Sequence, residues 1–394
     1  MPSRPSCSIR HLSVRLPRLA RTGASLAVLV FTACGSDGSV SPTRGSRRLI
    51  VEGRLERGVA VRIAAAGEHD TVAVPGVAIS ATPGSTAVVS GDSVRLMSAG
   101  AIHIEATVDG ASLVLDTVVA TPPMIVFDAI TNGNRDIYKI ALDGGDLARL
   151  TTSPGEDVHP SAAGGVVVFT SYRDGNGELY QVHGDGTAEM RLSKTPQNET
   201  LPALSPNGQM IAYLNDATTF GRIWLASVTF GNPTVLIPTT PTNASDLQSS
   251  IAWSPGSDRL VFVSTSTPSG GAGLFVMPAT PGATAVRMAG SGDHGPEVEP
   301  SWSATGDRIV YASARRDTTT IFIRDLTSGA ETQVLRGVKS VGQPAWLSDG
   351  RIVFTDFSGQ VPALAWVDPA FPALVHAIPT PGFASEHAAP LSLR

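Results

Sequence analysis

Acidic and histidine side chains in this chain gather in short segments that recur along it. The segments "GEDVHP" (155–160), "QNETLP" (197–202), "ASDLQSS" (244–250), "DHGPEVEP" (293–300) and "SEHAAP" (385–390) hold Glu156, Asp157, Glu199, Asp246, Glu297, Glu299 and Glu386. His159, His294 and His387 lie in the same segments, and the related "SVGQP" (340–344) has no acid. Three kinds of chemistry suit such a set. Carboxylates beside turns accept backbone N–H bonds and keep a face soluble. Gathered around one opening, they form a negative funnel for a cationic or hydrogen-bond-rich peptide. Carboxylates and imidazoles together also hold divalent cations. No local ligand spacing supports a metal here, so the expected cofactor is none, with a divalent cation as the alternative. Nucleophilic catalysis finds no G-x-S-x-G elbow. There is also no H-E-x-x-H, EF-hand loop or P-loop.

The elements that must position these residues read as short β-strands. The 394 residues include 40 Gly and 29 Pro, 42% are hydrophobic and 16% charged, a balance that favours an all-β chain. From residue 124 the chain repeats. Segments 159–182, 201–226, 251–277, 299–325 and 343–368 each carry a first strand, a Gly or Asp turn, a second strand such as "RIVF", a polar loop and a third strand such as "IFIRD". Pro160, Pro202, Ile251, Pro300, Pro344 and Pro390 align, at spacings of 42, 49, 49, 44 and 46. Four short strands per unit of that length make a propeller blade. Residues 124–152 supply a blade lacking its first strand, and residues 386–394 supply that strand. The ring is therefore expected to close with six blades and no free sheet edge. Trp253, Trp302 and Trp346, like Phe169, Tyr213, Phe262, Tyr311 and Phe354, recur at fixed repeat positions, which points to packing between blades. In this blade order the loop before the first strand and the loop between the second and third share one face. The acids and histidines then surround a channel mouth, and Arg173 in "SYRDGNGELY" (171–180) joins them as a candidate partner contact.

The N-terminal third has a different character. Residues 1–23 carry Arg4, Arg10, Arg15, Arg18 and Arg21 and no acid, followed by the ten-residue apolar run "ASLAVLVFTA". That run is too short to cross a bilayer and has the length of a signal-peptide core. It ends at Cys34; the only other cysteine, Cys7, would leave with the signal, so no disulfide is expected within the mature chain. Cleavage before Cys34 leaves 24 basic against 34 acidic residues, a formal charge of −10. Such a chain suits neither nucleic acid nor anionic lipid surfaces. "GSDGSVSPTRGS" (35–46) reads as a flexible tether within 34–47. Residues 48–120 hold strand-length runs punctuated by Gly and Pro, consistent with a small sandwich.

Three resemblances add to this reading. "FTAC" (31–34) resembles the lipobox of bacterial lipoproteins, which implies lipid on Cys34 and a chain anchored in the cell envelope, with the outer membrane expected. "VRLMSAGAIHIEATVDG" (94–110) resembles the C-terminal half of bacterial Ig-like group 2 domains, which implies a spacer or adhesion module. "AWSPGSDRLVFVS" (252–264), "PSWSATGDRIVYAS" (300–313) and "NRDIYKIALDGGDLARLT" (134–151) resemble the TolB-type propeller repeat over about 270 residues. That fold hosts binding proteins, peptidase gating domains and polysaccharide lyases. The expectation is an all-β, monomeric, non-catalytic scaffold that binds a protein or peptide at the acidic channel mouth. A carbohydrate-active enzyme, lyase-like and using the channel-mouth histidines and acids, is the alternative.

Overall fold

A computed structural model describes residues 48–391 except 53–54, 59, 67–70, 74–77, 82–86, 91–92, 98, 109–110, 217–221, 230–233, 237–247, 266–270, 290, 292–293, 316–317, 336–339 and 381–382. The signal segment 1–33, Cys34 and the tether up to residue 47 lie outside the described residues.

Residues 48–119 form two antiparallel sheets. One holds Arg48–Glu52, Ala60–Ala66, Thr71–Ala73, Ala87–Ser90 and Ser93–Leu96; the other holds Ala78–Ala81, Gly100–Val108 and Ala111–Val119. Alternation decides which side chains meet. Ile102, Ile104 and Ala106 point inward from one strand, while Ala101, Glu105 and Thr107 between them face solvent. They pack on Leu49, Val61, Ile63, Val94 and Leu96 of the facing sheet in one core.

From Met124 onward the chain builds six four-stranded antiparallel sheets. Blades 1 to 5 run over residues 157–191, 199–235, 248–287, 297–333 and 341–377. The closing blade joins Met124–Thr131, Asn134–Ala141 and Ala148–Arg149 to the C-terminal strand Ala384–Leu391. The innermost strands contact one another in sequence, and Ala384–Leu391 contacts those of blades 5 and 1. Second strands such as Val166–Ser171 are buried almost throughout, because neighbouring blades cover both faces. Each blade interface is filled by the recurring aromatics. Phe169, Tyr213, Phe262, Tyr311 and Phe354 are fully buried, and Trp253 donates to the carbonyl of Ala203 in the preceding blade at 2.8 Å.

Local chemistry sets the turns. In the closing blade, "NG" at Asn132 and Gly133 takes φ of 54° and 83°, the left-handed pair that a two-residue hairpin needs to match strand twist. The sequence register fails in one place. The closing strand's ladder slips between Glu386 and Ala389, as blade 1 slips between Val158 and Ser161, so Ala388 rather than Pro390 is the counterpart of Pro160.

The sandwich rests against the propeller. Arg351, just before a second strand, is buried and pairs with Glu56 at 2.8 Å; Arg57 pairs with Asp143 at 2.7 Å and Asp146 at 2.5 Å. These contacts lie at the end of the ring where inner strands finish. The opposite end, where inner strands begin, carries the candidate site.

Candidate functional site

Each innermost strand has a one-residue bulge near its start. The bulged residues are His159, Leu201, Ser250, Glu299, Gln343 and His387, all with φ between 45° and 55°. Left-handed backbone at a non-glycine residue is uncommon and costs energy. Its recurrence in every blade makes it part of the architecture. The bulge removes one N–H from the ladder and turns one side chain toward the axis. The six residues line a central cavity of about 440 Å³.

The ring of six is uneven. Leu201 and Ser250 give it a weakly polar half, while Glu299, Gln343, His387 and His159 follow one another around the other half. On the polar side the freed N–H groups are taken up by neighbouring side chains. Gln343 donates its backbone N–H to Glu299 Oε2 at 2.6 Å, and His387 donates its own to Gln343 Oε1 at 3.0 Å. His159 donates its backbone N–H to Asp128 Oδ2 at 3.0 Å, and the same oxygen lies 2.9 Å from His387 Nδ1. Gln343 Nε2 is 2.8 Å from His387 Nε2, and Thr355 donates to Gln343 Oε1 at 2.7 Å. Arg135 pairs with Asp128 and, at 3.1 Å, with Glu386. The two imidazole rings meet edge to face at 4.5 Å.

Charge follows from these contacts. Burial alone would raise the Asp128 carboxyl, but the hydrogen bond and charge of His387 and the charge of Arg135 outweigh it and hold Asp128 ionised, below its usual range. Burial would lower His387; its bond to Asp128, with Glu386 and Glu299 nearby, raises it instead. His159 has no such partner. Burial, and then the charge of His387, push it down to about 4, so it is neutral at physiological pH. Its Nδ1 is buried without a hydrogen bond. Burial raises Glu299 against the opposing Gln343 N–H.

Of the residues singled out in the sequence, His159, Glu299 and His387 come together on the cavity, with Glu386 beside them. Asp157, Glu199 and Glu297 are fully buried two residues before the bulged positions, where they brace the blades. Asp157 pairs with Arg173 at 3.1 Å, and Arg173 also pairs with Glu189. Glu199 accepts from Thr195 at 2.6 Å and Asn215 at 2.7 Å; Glu297 pairs with Arg324 at 2.8 Å. Glu156 and His294 are exposed, and Asp246 lies outside the described residues. The sequence reading missed Asp128, Arg135 and Gln343. Asp128 had a signal: its counterparts are Thr170, Leu214, Val263, Ala312 and Thr355, so an acid interrupts an otherwise uncharged position. Among the described residues, no group of three or more His, Cys, Asp or Glu has the geometry to hold a metal ion.

No protein-family model matches the chain, and no curated protein matches it. Solved structures do match. TolB from Acinetobacter baumannii superposes with a TM-score of 0.60 at 10% identity, over 80% of this chain and 83% of that one. A putative TolB from Agrobacterium tumefaciens gives 0.51 at 14% identity, over 65% and 87%. The fold is that of a TolB-like β-propeller. A chain of the nidogen/laminin complex is also similar, with a TM-score of 0.53 at 12% identity over 68% of this chain and 97% of that one. In this TolB-like propeller the differentiated surface is the bulge ring, and the described ion pairs of the sandwich with the propeller lie at the other end.

Proposed function

We propose that this chain is a non-catalytic scaffold of the cell envelope that recognises a protein or peptide at the mouth where the inner strands begin. The observation that carries the reading is the uneven bulge ring, with four polar residues on one side of a 440 Å³ cavity and Leu201 opposite. A cavity of that size with a few fixed polar groups suits part of a peptide. The TolB likeness supports the fold on which the reading rests, and the nidogen/laminin assembly supplies an example of a similar fold taken from a complex of two proteins. Lipid on Cys34 would anchor the chain, and the sandwich would act as the spacer. Its contacts at the far end of the ring turn the bulge ring away from it.

The test is cross-linked capture from envelope extract with the full chain and a Leu201→Trp variant that fills the cavity. Loss of the partner with the variant supports the reading. A Cys34→Ala chain that stays in the membrane fraction refutes the anchor. One observation favours a lyase instead: the His387–Asp128 pair and Glu299 border the same cavity. Turnover of a polyuronate by purified protein, abolished by His387→Ala, would establish that alternative.

A further inference from the structure

Charges at the ring do not balance among the described residues. Asp128 and Glu386 both pair with Arg135, and Asp128 is also bonded to His387 Nδ1. Glu299 is left over. It lines the cavity and accepts one backbone N–H, from Gln343, and it has no ion-pair partner among the described residues. A mostly buried carboxylate with one hydrogen bond is costly unless it is protonated or paired. The charged groups that act on it are His387 and Glu386, both already engaged with other partners. His159 Nδ1, buried without a partner on the same ring, is a second unmet polar atom.

The rim on this side carries exposed apolar side chains. Phe357 and Val361 lie in the loop between the second and third strands of blade 5, and Ile130 is the last residue but one of the corresponding strand of the closing blade. All three are exposed. Phe357 stands next to Glu299: a Cβ placed on Gly342 would meet Glu299 Oε2 at 3.1 Å and Phe357 Cε2 at 3.3 Å. The unmatched acid and Phe357 of that rim thus both border Gly342.

We propose that Glu299 is the anchor for a single alkylammonium or guanidinium group on the partner, with apolar residues beside that group packing on Phe357, Val361 and Ile130. This rests on the channel-mouth reading and names the chemistry of its ligand. One cation gives Glu299 a counter-charge and a second donor, and leaves the Asp128–His387 pair undisturbed. Partners with an acid at that position would be rejected by like charge.

The test uses the full chain in detergent and three synthetic peptides. They are Ac-Val-Lys-Phe-Val-NH2, the same peptide with norleucine for lysine, and the norleucine peptide with a free N-terminal amine. Calorimetry should show the lysine peptide or the free-amine peptide binding roughly tenfold tighter than the acetylated norleucine peptide. Which of the two gains identifies a side chain or a chain terminus as the source. Glu299→Gln should erase the gain and leave norleucine-peptide affinity within about twofold. The gain should also fade as pH falls and Glu299, held above its usual range, takes up a proton. Equal binding of all three peptides, no binding of the charged peptides at millimolar concentration, or a preference that survives Glu299→Gln overturns the proposal. The channel-mouth reading fails separately, if Leu201→Trp still captures the envelope partner.

Discussion

Replacing Asp128 by Asn tests the electrostatic account of the ring, because one buried carboxylate there serves three partners. Asp128 is fully buried and holds Arg135, His387 Nδ1 and the His159 N–H. Asparagine keeps the shape and one acceptor but loses the charge, and its amide places a donor where a donor already points. Removing one member of a buried charged network costs about 3–5 kcal/mol. With one bond retained, the lower end is expected, about 3 kcal/mol. For a folded unit of this size that corresponds to a fall in Tm of roughly 6–12 °C. The second readout is the titration of His387. Its imidazole is held above the ordinary value by Asp128 against the effect of burial. Without that charge, burial dominates and His387 should titrate below 6.5. Circular dichroism melts and proton NMR of the histidine ring carbons measure the two effects. A His387 that still titrates above 6.5, with Tm unchanged within about 2 °C, would refute the assignment of Asp128 as the organising charge.

Other perturbations probe the rest of the fold. Arg351→Met removes the cation facing buried Glu56 and should cost about 3–5 kcal/mol, read as faster protease cleavage between the sandwich and the propeller. Partial recovery on adding Glu56→Leu is expected. Deleting residues 384–394 removes the strand paired with Met124–Thr131 and exposes that edge, so the shortened chain should aggregate in light scattering. His159 is lowered to about 4, so the folded state stays neutral there while the unfolded chain takes up a proton near 6.5. That contribution is present above 6.5 and lost as pH falls to about 4, a difference of about 3 kcal/mol that a His159→Gln chain should lack in denaturant titrations.

The blades were legible because their signals are local. Alternation, recurring aromatics and the Asn132–Gly133 turn each act within a few residues, and six copies reinforced them. The bulge was harder to see. It is a backbone event, and Pro160, Pro202, Pro300 and Pro344 mark it only because a residue freed from the ladder tolerates proline. The closing strand uses Ala388 instead, which displaced the reading to Pro390. The acids divided for a similar reason. Asp157, Glu199 and Glu297 sit in turn-rich segments and read as surface, yet their partners arrive from elsewhere in the blade, Arg173 from a loop and Asn215 and Arg324 from other strands. Gln343 was overlooked in the one segment without an acid. Its meeting with Glu299 and His387 depends on ring order, which no short window displays. Asp128 reaches His387, and Arg135 reaches Glu386, through closure of the ring by strands from both ends of the propeller.

The central claim is that a partner enters the cavity from the end where the inner strands begin. Cross-linked capture from envelope extract measures this most directly, comparing the native chain with Leu201→Trp in the cavity and Val286→Asp on the exposed outer strand of blade 3. The account predicts one partner captured by the native chain and by Val286→Asp and lost with Leu201→Trp. Capture undiminished by Leu201→Trp would contradict it.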